Sequence, residues 1–288
     1  MLTVLTETAR AKVNLTLRVL GRRPDGYHEL ESLVAFADVG DEVTLRLGAF
    51  PGVTVSGPFA RAIEGENIVA RALRSLAEVV PGLKLGAVDI EKRLPVAAGI
   101  GGGSADAAAA LRAVRRANPA AASSVDWAGL AALLGADVPV CLGSTPQLMW
   151  GIGRETAEVP ALPMLPAVLV NPGVPLATGD VFHSLGAPPA PVRASAPEVP
   201  AAFPDMAAMA AYLRAHGNDL EPAAMALCPA IGLVLAELRS QPGVVLTRMS
   251  GSGPTCFAIL ETDAAAAAVA RRIRDRHSGW WVVSTTLG

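Results

Sequence analysis

The sequence predicts an α+β protein of two domains, with strands and helices mixed throughout. Three observations carry this. The chain has 288 residues, long for one compact domain and comfortable for two. Its composition is 51% hydrophobic and 17% charged, apolar enough to fill real cores and to exclude wholesale disorder. Stretches that alternate with a period of two are interspersed with stretches at helical spacing from one end of the chain to the other. The expected boundary lies near residue 160, giving domains 1–160 and 161–288.

Val13 to Val19 alternates apolar and polar residues, the period of a half-buried strand. Gly21 to Gly26 is a polar turn, and Asp41 to Leu47 alternates again. Ile68, Ala72, Leu73, Leu76, Val79 and Val80 lie at helical spacing and stop at Pro81-Gly82. Val88 to Leu94 is a short strand candidate. An alanine-rich helix is expected from about Ala105 to Ala117, since alanine is the best helix former. Arg112, Arg115 and Arg116 suit the negative end of its dipole, and Asn118-Pro119 ends it. Asp126 reads as the N-cap of a helix over Trp127 to Leu134, closed by Gly135. The strand Ala167 to Val170 follows, and Pro188 to Pro204 reads as a surface loop or linker. Helices are expected near Met206 to His216 and Ala223 to Leu238, then strands around Val244 to Met249 and Cys256 to Leu260. The helix Asp263 to Arg276 and the strand Trp281 to Thr286 complete the chain.

The formal net charge of −2, from 24 basic and 26 acidic residues, leaves no electrostatic footprint for duplex nucleic acid or an anionic membrane. Lys12, Lys84 and Lys92 are the only lysines, so each invites a question. Cys141, Cys228 and Cys256 are far apart and show no metal or disulfide spacing, which fits a reducing cytoplasm. No signal peptide or membrane span is expected.

The strongest local signal is Pro95-Val96-Ala97-Ala98-Gly99-Ile100-Gly101-Gly102-Gly103-Ser104-Ala105-Asp106, between a strand and a helix. Glycines let successive N–H groups turn inward, and a helix beginning near Ser104 adds unpaired N–H groups and a positive dipole end. Together they make a seat for phosphate. No lysine or arginine lies between Pro95 and Arg112, so the Walker mechanism is absent; the third glycine of a dinucleotide fingerprint would fall on Ser104. The competing reading is a helix-capping loop without a ligand. A second cluster, Ser250-Gly251-Ser252-Gly253-Pro254-Thr255, reads on its own as a hairpin turn. Lys12 alone reads as a strand-edge charge, Asp137 as a cap or turn residue, and His28 as a structural histidine.

Seen in order, these pieces resemble the GHMP small-molecule kinases. The resemblance runs nearly end to end. It rests on Ala11-Lys12-Val13-Asn14-Leu15, Arg23-Pro24-Asp25-Gly26-Tyr27-His28 and Glu66-Asn67-Ile68-Val69, and on Lys92-Arg93-Leu94-Pro95 leading into the glycine loop. Gly135-Ala136-Asp137-Val138-Pro139, Asn171-Pro172-Gly173, Asn218-Asp219-Leu220-Glu221 and Gly251-Ser252-Gly253 continue it. The Asp-Gly-Tyr-His turn is similar to the branch whose acceptor is a cytidine-diphosphate-linked sugar alcohol of the non-mevalonate route to isoprenoid precursors. The alternatives are a homoserine or mevalonate type of kinase, or a nucleotide-binding protein without catalysis.

The resemblance implies a two-domain fold with the active site in the cleft between domains. It implies ATP as co-substrate, Mg²⁺ as cofactor with its ligands unknown, and a small-molecule acceptor. The chain is expected to act in the cytoplasm as a monomer or weak homodimer. Pro95, Val96, Ala97, Ala98, Gly99, Ile100, Gly101, Gly102, Gly103, Ser104 and Ala105 would wrap the ATP phosphates, with Asn67 and Lys92 near the adenosine. Tyr27 and Phe182 would sandwich the cytosine ring and His28 would read its polar edge. Asn14 and Thr178 would contact the acceptor side, Asp137 would deprotonate the acceptor hydroxyl, and Lys12 would keep Asp137 ionised and offset negative charge. The chain departs from the pattern at Ala105, where a second serine is usual, at Ile100 in place of leucine, at Arg154 after Gly153, and over Ser184 to Pro204.

Overall fold

The computed structural model describes residues 3–63, 65–190, 196–198, 200 and 202–288; the expected loop Pro188 to Pro204 therefore lies partly outside the described residues. The element order is β1 (Val4–Asn14), β2 (Arg18–Arg22), β3 (His28–Leu47), β4 (Gly52–Ser56), α1 (Ile68–Val79), β5 (Gly86–Glu91), α2 (Gly102–Ala117), α3 (Trp127–Leu134), α4 (Val138–Gly143), β6 (Gln147–Gly151), β7 (Glu155–Glu158), β8 (Leu165–Asn171), α5 (Thr178–Leu185), α6 (Met206–Ala215), α7 (Glu221–Leu227), α8 (Ala230–Arg239), β9 (Val244–Met249), β10 (Cys256–Leu260), α9 (Asp263–Arg276) and β11 (Trp281–Leu287). The chain forms two compact units, Met1–Ala11 with Val39–Val96 and Gly101–Ser144, and Lys12–Asp38 with Ala97–Ile100 and Thr145–Gly288. The division falls within β1 and β3, so each of these long strands contributes to both.

In the first unit, the end of β3 pairs antiparallel with β5 (Val43 opposite Ile90), and β4 joins β5 in parallel (Val55 opposite Ile90). The sheet is therefore mixed. Val43, Leu45, Val88 and Ile90 are buried at alternate positions, as a one-sided sheet requires. Helix α1 turns Val69, Ala72, Leu73 and Leu76 inward, and the Asn67 side chain caps it by accepting from Val69 N at 2.8 Å. Helix α2 packs against α1, α3 and α4, and its many alanines let neighbouring backbones approach closely. Arg112 on α2 ties the unit together, donating to Glu7 Oε2 at 3.0 Å and to the carbonyls of Thr8 and Cys141, each at 2.9 Å.

In the second unit, β11, β8, β10 and β9 form an antiparallel run in that order, with Val282 opposite Val170, Cys256 opposite Val170 and Cys256 opposite Met249. Helices α8 and α9 cover it. Ile231, Val234, Leu235 and Leu238 of α8 and Val269, Ala270 and Ile273 of α9 bury against Val168, Val170, Ala258 and Leu260. Truncating one such buried leucine to alanine costs about 2–5 kcal/mol. The first part of β3 pairs with β2 (Leu30 opposite Val19) and with β6 (Leu33 opposite Leu148).

Several boundaries differ from the expectations, each for a physical reason. The strand expected over Val13 to Val19 is two pieces. Leu33 N donates to Thr16 Oγ1 at 2.9 Å and Leu17 N donates to Gly217 O at 2.9 Å, which pulls the chain out of the ladder between β1 and β2. The helix expected over Ala223 to Leu238 is also two, because Pro229 cannot continue α7 and instead stands at the N-cap of α8. Helix α2 starts at Gly102, ahead of the expected Ala105, with Gly101 as its N-cap in the left-handed region at φ 64°.

Candidate active site

The segment from Pro95 to Ala105 leaves β5 and enters α2. Within it Ala97 has φ 51°, Gly99 φ 71° and Gly101 φ 64°. Left-handed backbone costs an alanine about 1 kcal/mol or more, and strain of this kind concentrates where a segment serves a ligand. Beyond Gly101, the first-turn amides of α2 lack helical partners, and the positive end of the helix dipole lies with them. Ser104 carries the one side-chain hydroxyl between Pro95 and Ala105.

Three carbonyls in a row are taken up by the protein. Ala98 O accepts from Thr255 N at 3.2 Å, Gly99 O from Ser250 Oγ at 3.0 Å and Ile100 O from Lys12 N at 3.0 Å. The second glycine cluster, read from sequence as a turn, does connect β9 to β10, but it also packs on this segment. A Cβ on Gly99 would stand 2.6 Å from Ser250 O and 2.7 Å from Gly253 N.

Lys92, at the end of β5, is buried with two carboxylates. Its Nζ donates to Asp41 Oδ2 and, at 2.8 Å, to Asp106 Oδ2. Asp41 Oδ1 accepts from the backbone N–H groups of Arg93 and Leu94 at 2.6 and 2.8 Å. The ammonium lies 3.5 Å from where a Cβ of Gly102 would be, so this cluster sits beneath the first turn of α2. Burial alone would lower the Lys92 pKa, but the two carboxylates more than offset it and hold it above its ordinary value. Burial pushes Asp106 up to about 7; Lys92 pulls it down and Asp41 adds to the rise. Asp41 and Asp106 were not singled out from the sequence. The available signal was the rarity of lysine, since a buried lysine needs a carboxylate partner.

Asp137 occupies the N-cap position of α4 in αR backbone, and its side chain makes no capping hydrogen bond there. It is partly exposed. Lys12, in contrast to an edge charge, is 3% exposed. Asn14 is buried too, its Nδ2 donating to Ser32 Oγ at 2.8 Å.

A cleft of about 580 Å³ opens in the second unit, lined among others by Arg22, Tyr27, His28, Thr178, Phe182 and His183. It brings together four residues singled out from sequence, supplied by the β2–β3 turn and by α5, a helix the sequence reading did not place. Tyr27 is 58% exposed. The His28 and Phe182 rings stack with centroids 4.8 Å apart and planes at 28°. Burial, and then the Arg22 guanidinium, hold the His28 imidazole below its ordinary pKa. Thr178 Oγ1 lies 2.8 Å from Ser252 Oγ of the second glycine cluster. Arg22 and His183 are additions from the structure. The turn itself is held by Arg23, whose N–H donates to Tyr27 O at 2.8 Å and whose Nη2 pairs with Asp25 Oδ2 at 2.8 Å.

Among the described residues, no group of three His, Cys, Asp or Glu side chains could hold a metal ion, and no helix is long and apolar enough to cross a membrane.

A glycine-rich loop at a helix start, in an α+β chain of this topology, is the architecture of a small-molecule kinase of the GHMP class. Family models agree: GHMP kinases N terminal domain matches residues 67–144, and GHMP kinases C terminal matches residues 199–279. The chain is 52% identical over 291 residues to 4-diphosphocytidyl-2-C-methyl-D-erythritol kinase of Rhodopseudomonas palustris, covering 98% of this chain and 97% of that relative. It is 50% identical to the protein of the same name from Bradyrhizobium sp., covering 98% and 96%. A solved structure, the crystal structure of 4-(cytidine 5'-diphospho)-2C-methyl-D-erythritol kinase, superposes with a TM-score of 0.77 at 32% identity over 99% of both chains. A homoserine kinase from Cytophaga hutchinsonii shares the fold, with a TM-score of 0.66 at 20% identity over 98% and 94%. The chain belongs to the GHMP kinase family, in its diphosphocytidyl-methylerythritol kinase branch.

Proposed function

We propose that this chain transfers the γ-phosphoryl group of ATP to the 2-hydroxyl of 4-diphosphocytidyl-2-C-methyl-D-erythritol. The observation that carries the substrate is the cleft, where an exposed tyrosine, a phenylalanine and a depressed-pKa histidine converge. Tyr27 and Phe182 offer ring faces for a cytosine. A neutral His28 offers one N–H donor and one acceptor nitrogen for its polar edge. Stacking supplies area, and hydrogen bonds supply base identity. Thr178 and Asn14 are assigned to the acceptor side, and Asn67 and Lys92 to the neighbourhood of the adenosine.

Phosphoryl transfer passes through a loose transition state, so the protein mainly positions reactants and stabilises charge. The acceptor oxygen bonds to the γ-phosphorus as the bond to the bridging oxygen of ADP breaks. Asp137 takes the hydroxyl proton as the new bond forms, because a carboxylate is too weak a base to remove it beforehand. Lys12 offsets negative charge on the acceptor side. Backbone amides from Pro95 to Ala105 hold the triphosphate. Mg²⁺ usually keeps several waters and leans on substrate phosphates rather than a protein cage, and Ser104 would be the loop's hydroxyl for it. When bound, it neutralises charge on the triphosphate. A kinase that consumes ATP works where ATP is kept, so the cytoplasm is the proposed compartment, and monomer or weak homodimer the proposed state.

The test is ADP release measured with a panel of alcohol acceptors. Release dependent on the diphosphocytidyl acceptor and inhibited by free cytidine diphosphate is expected. Turnover of homoserine or mevalonate in its place would reject the substrate, and ADP release indifferent to any acceptor would reject the transfer.

A further inference from the structure

The Asn218-Asp219-Leu220-Glu221 segment has no part in the roles assigned so far, yet Asn218 reaches the second glycine cluster and Glu221 the residue just before it. Asn218 is 7% exposed. Its Nδ2 donates to Met249 O and Gly251 O, both at 2.8 Å, and its Oδ1 accepts from Leu220 N at 3.0 Å. Glu221 Oε2 accepts from Met249 N at 2.9 Å. The base on which Asn218 stands is fixed independently: Leu17 N donates to Gly217 O and Asp219 N to Leu17 O, each at 2.9 Å. Asp219 Oδ2 accepts from Val19 N at 2.8 Å.

The cluster so anchored in turn holds Ala98 and Gly99. Ser250 Oγ accepts from Asn14 N at 3.1 Å and donates to Gly99 O at 3.0 Å. Gly251, at φ 56°, comes so near that a Cβ there would stand 2.8 Å from Gly99 O. In a planar trans peptide the C=O and N–H point opposite ways. Fixing the carbonyls of Ala98 and Gly99 therefore fixes the directions of the Gly99 and Ile100 N–H groups. Those are the groups an anion would meet.

We propose that Asn218 and Ser250 are positioning residues for ATP, orienting the Gly99 and Ile100 amides through the Ser250–Gly253 turn. This rests on the reading of Pro95 to Ala105 as the triphosphate seat. Neither side chain touches the nucleotide; each acts on it through the peptide planes. Preoriented amides hold a phosphate without reorganising, so their disorder weakens ATP more than the acceptor.

The test compares Asn218→Ala and Ser250→Ala with the unaltered protein, measuring KM for ATP, KM for the acceptor and ADP affinity by calorimetric titration. Each variant leaves a buried carbonyl or amide without its partner, which corresponds to about a tenfold effect. ATP KM and ADP dissociation constant are expected to rise about tenfold, and at least several-fold more than acceptor KM. Equal rises for both substrates, or loss confined to kcat, would overturn the proposal, because a merely structural lesion lowers the active fraction without discriminating between substrates. Ser250→Ala removes a single hydroxyl and decides the matter if Asn218→Ala does not fold. Should the unaltered protein itself bind no ADP, the triphosphate seat fails and not merely its positioning.

Discussion

Lys92 Nζ lies 2.8 Å from Asp106 Oδ2, and with Asp41 on its other side the ammonium serves two buried carboxylates at once. The cluster holds one positive and two negative groups, out of water and under the first turn of α2. Asp106 Oδ1 has no hydrogen-bond partner among the described residues, although it is buried. A proton there would make the cluster neutral. Burial is the first reason that Asp106 is pushed up to about 7, with Asp41 adding to the rise, while the two carboxylates hold Lys92 above its ordinary value.

A pH dependence of stability follows. The folded pKa of Asp106 is about 7 and its unfolded value is near 3.8. Between these values the folded state binds more protons than the unfolded chain, so stability is greatest below the unfolded value and is lost as pH rises through about 7. Denaturant midpoints measured from pH 5 to pH 8 should fall across this range, and Asp106→Asn should flatten the fall. An equal slope in the variant would assign the titration to another group. Lys92→Ala, which leaves two carboxylates facing each other, should destabilise the protein by about 3–5 kcal/mol, the range for breaking a buried pair.

Gly99→Ala should be among the most damaging single-methyl substitutions. The residue has φ 71°, and the new carbon would meet Ser250 O at 2.6 Å and both Gly253 N and Gly253 O at 2.7 Å. These are backbone atoms and cannot rotate away. Left-handed strain and overpacking together suggest a loss of about 3 kcal/mol. Urea unfolding checks this, and a midpoint unchanged from the parent would mean that the two glycine segments are not in the contact described. Gly26→Ala supplies a contrast, since nothing lies within 4 Å of its Cβ position and only its φ of 88° opposes the change.

Tyr27→Ala should raise KM for the nucleotide-sugar acceptor by about tenfold or more, on a stacking worth of about 1–3 kcal/mol per base, with little change in KM for ATP. Tyr27 is 58% exposed, so the fold should tolerate the loss. Initial rates with each substrate varied in turn distinguish this from a general defect. Equal effects on both constants would remove Tyr27 from the cytosine site.

Much of this was legible in the sequence because periodicity and punctuation are local properties. Asp126 caps its helix as its place before an apolar run predicts, and the glycine segment announces its own backbone. What escaped depends on distant partners. The strand β3 runs 20 residues, and its first half is too evenly buried to alternate. The cleft joins residues 22–30 to residues 178–187, and no local signal links them. The cluster at Lys92 needs Asp41 from β3 and Asp106 from α2, and although Asp106 ends the glycine segment, no local signal pairs either carboxylate with the lysine. Helix α2 begins at Gly102, three residues before the expected Ala105, because propensity alone puts poor helix formers such as glycine outside the helix.

Asp137→Ala is the sharpest test of the proposed chemistry. The residue stands at the head of α4 in αR backbone without capping the helix through its side chain, so its carboxylate is not spent on the cap. Turnover should fall by about 100-fold or more, the usual scale of a lost general base, while ADP affinity stays within twofold of the parent. Lys12→Ala should lower turnover to a similar degree, but at a cost in stability, since its side chain is buried. Single-turnover quench experiments separate the chemical step from product release. A burst of phosphorylated product at the parental rate in Asp137→Ala would show that the proton leaves by another route.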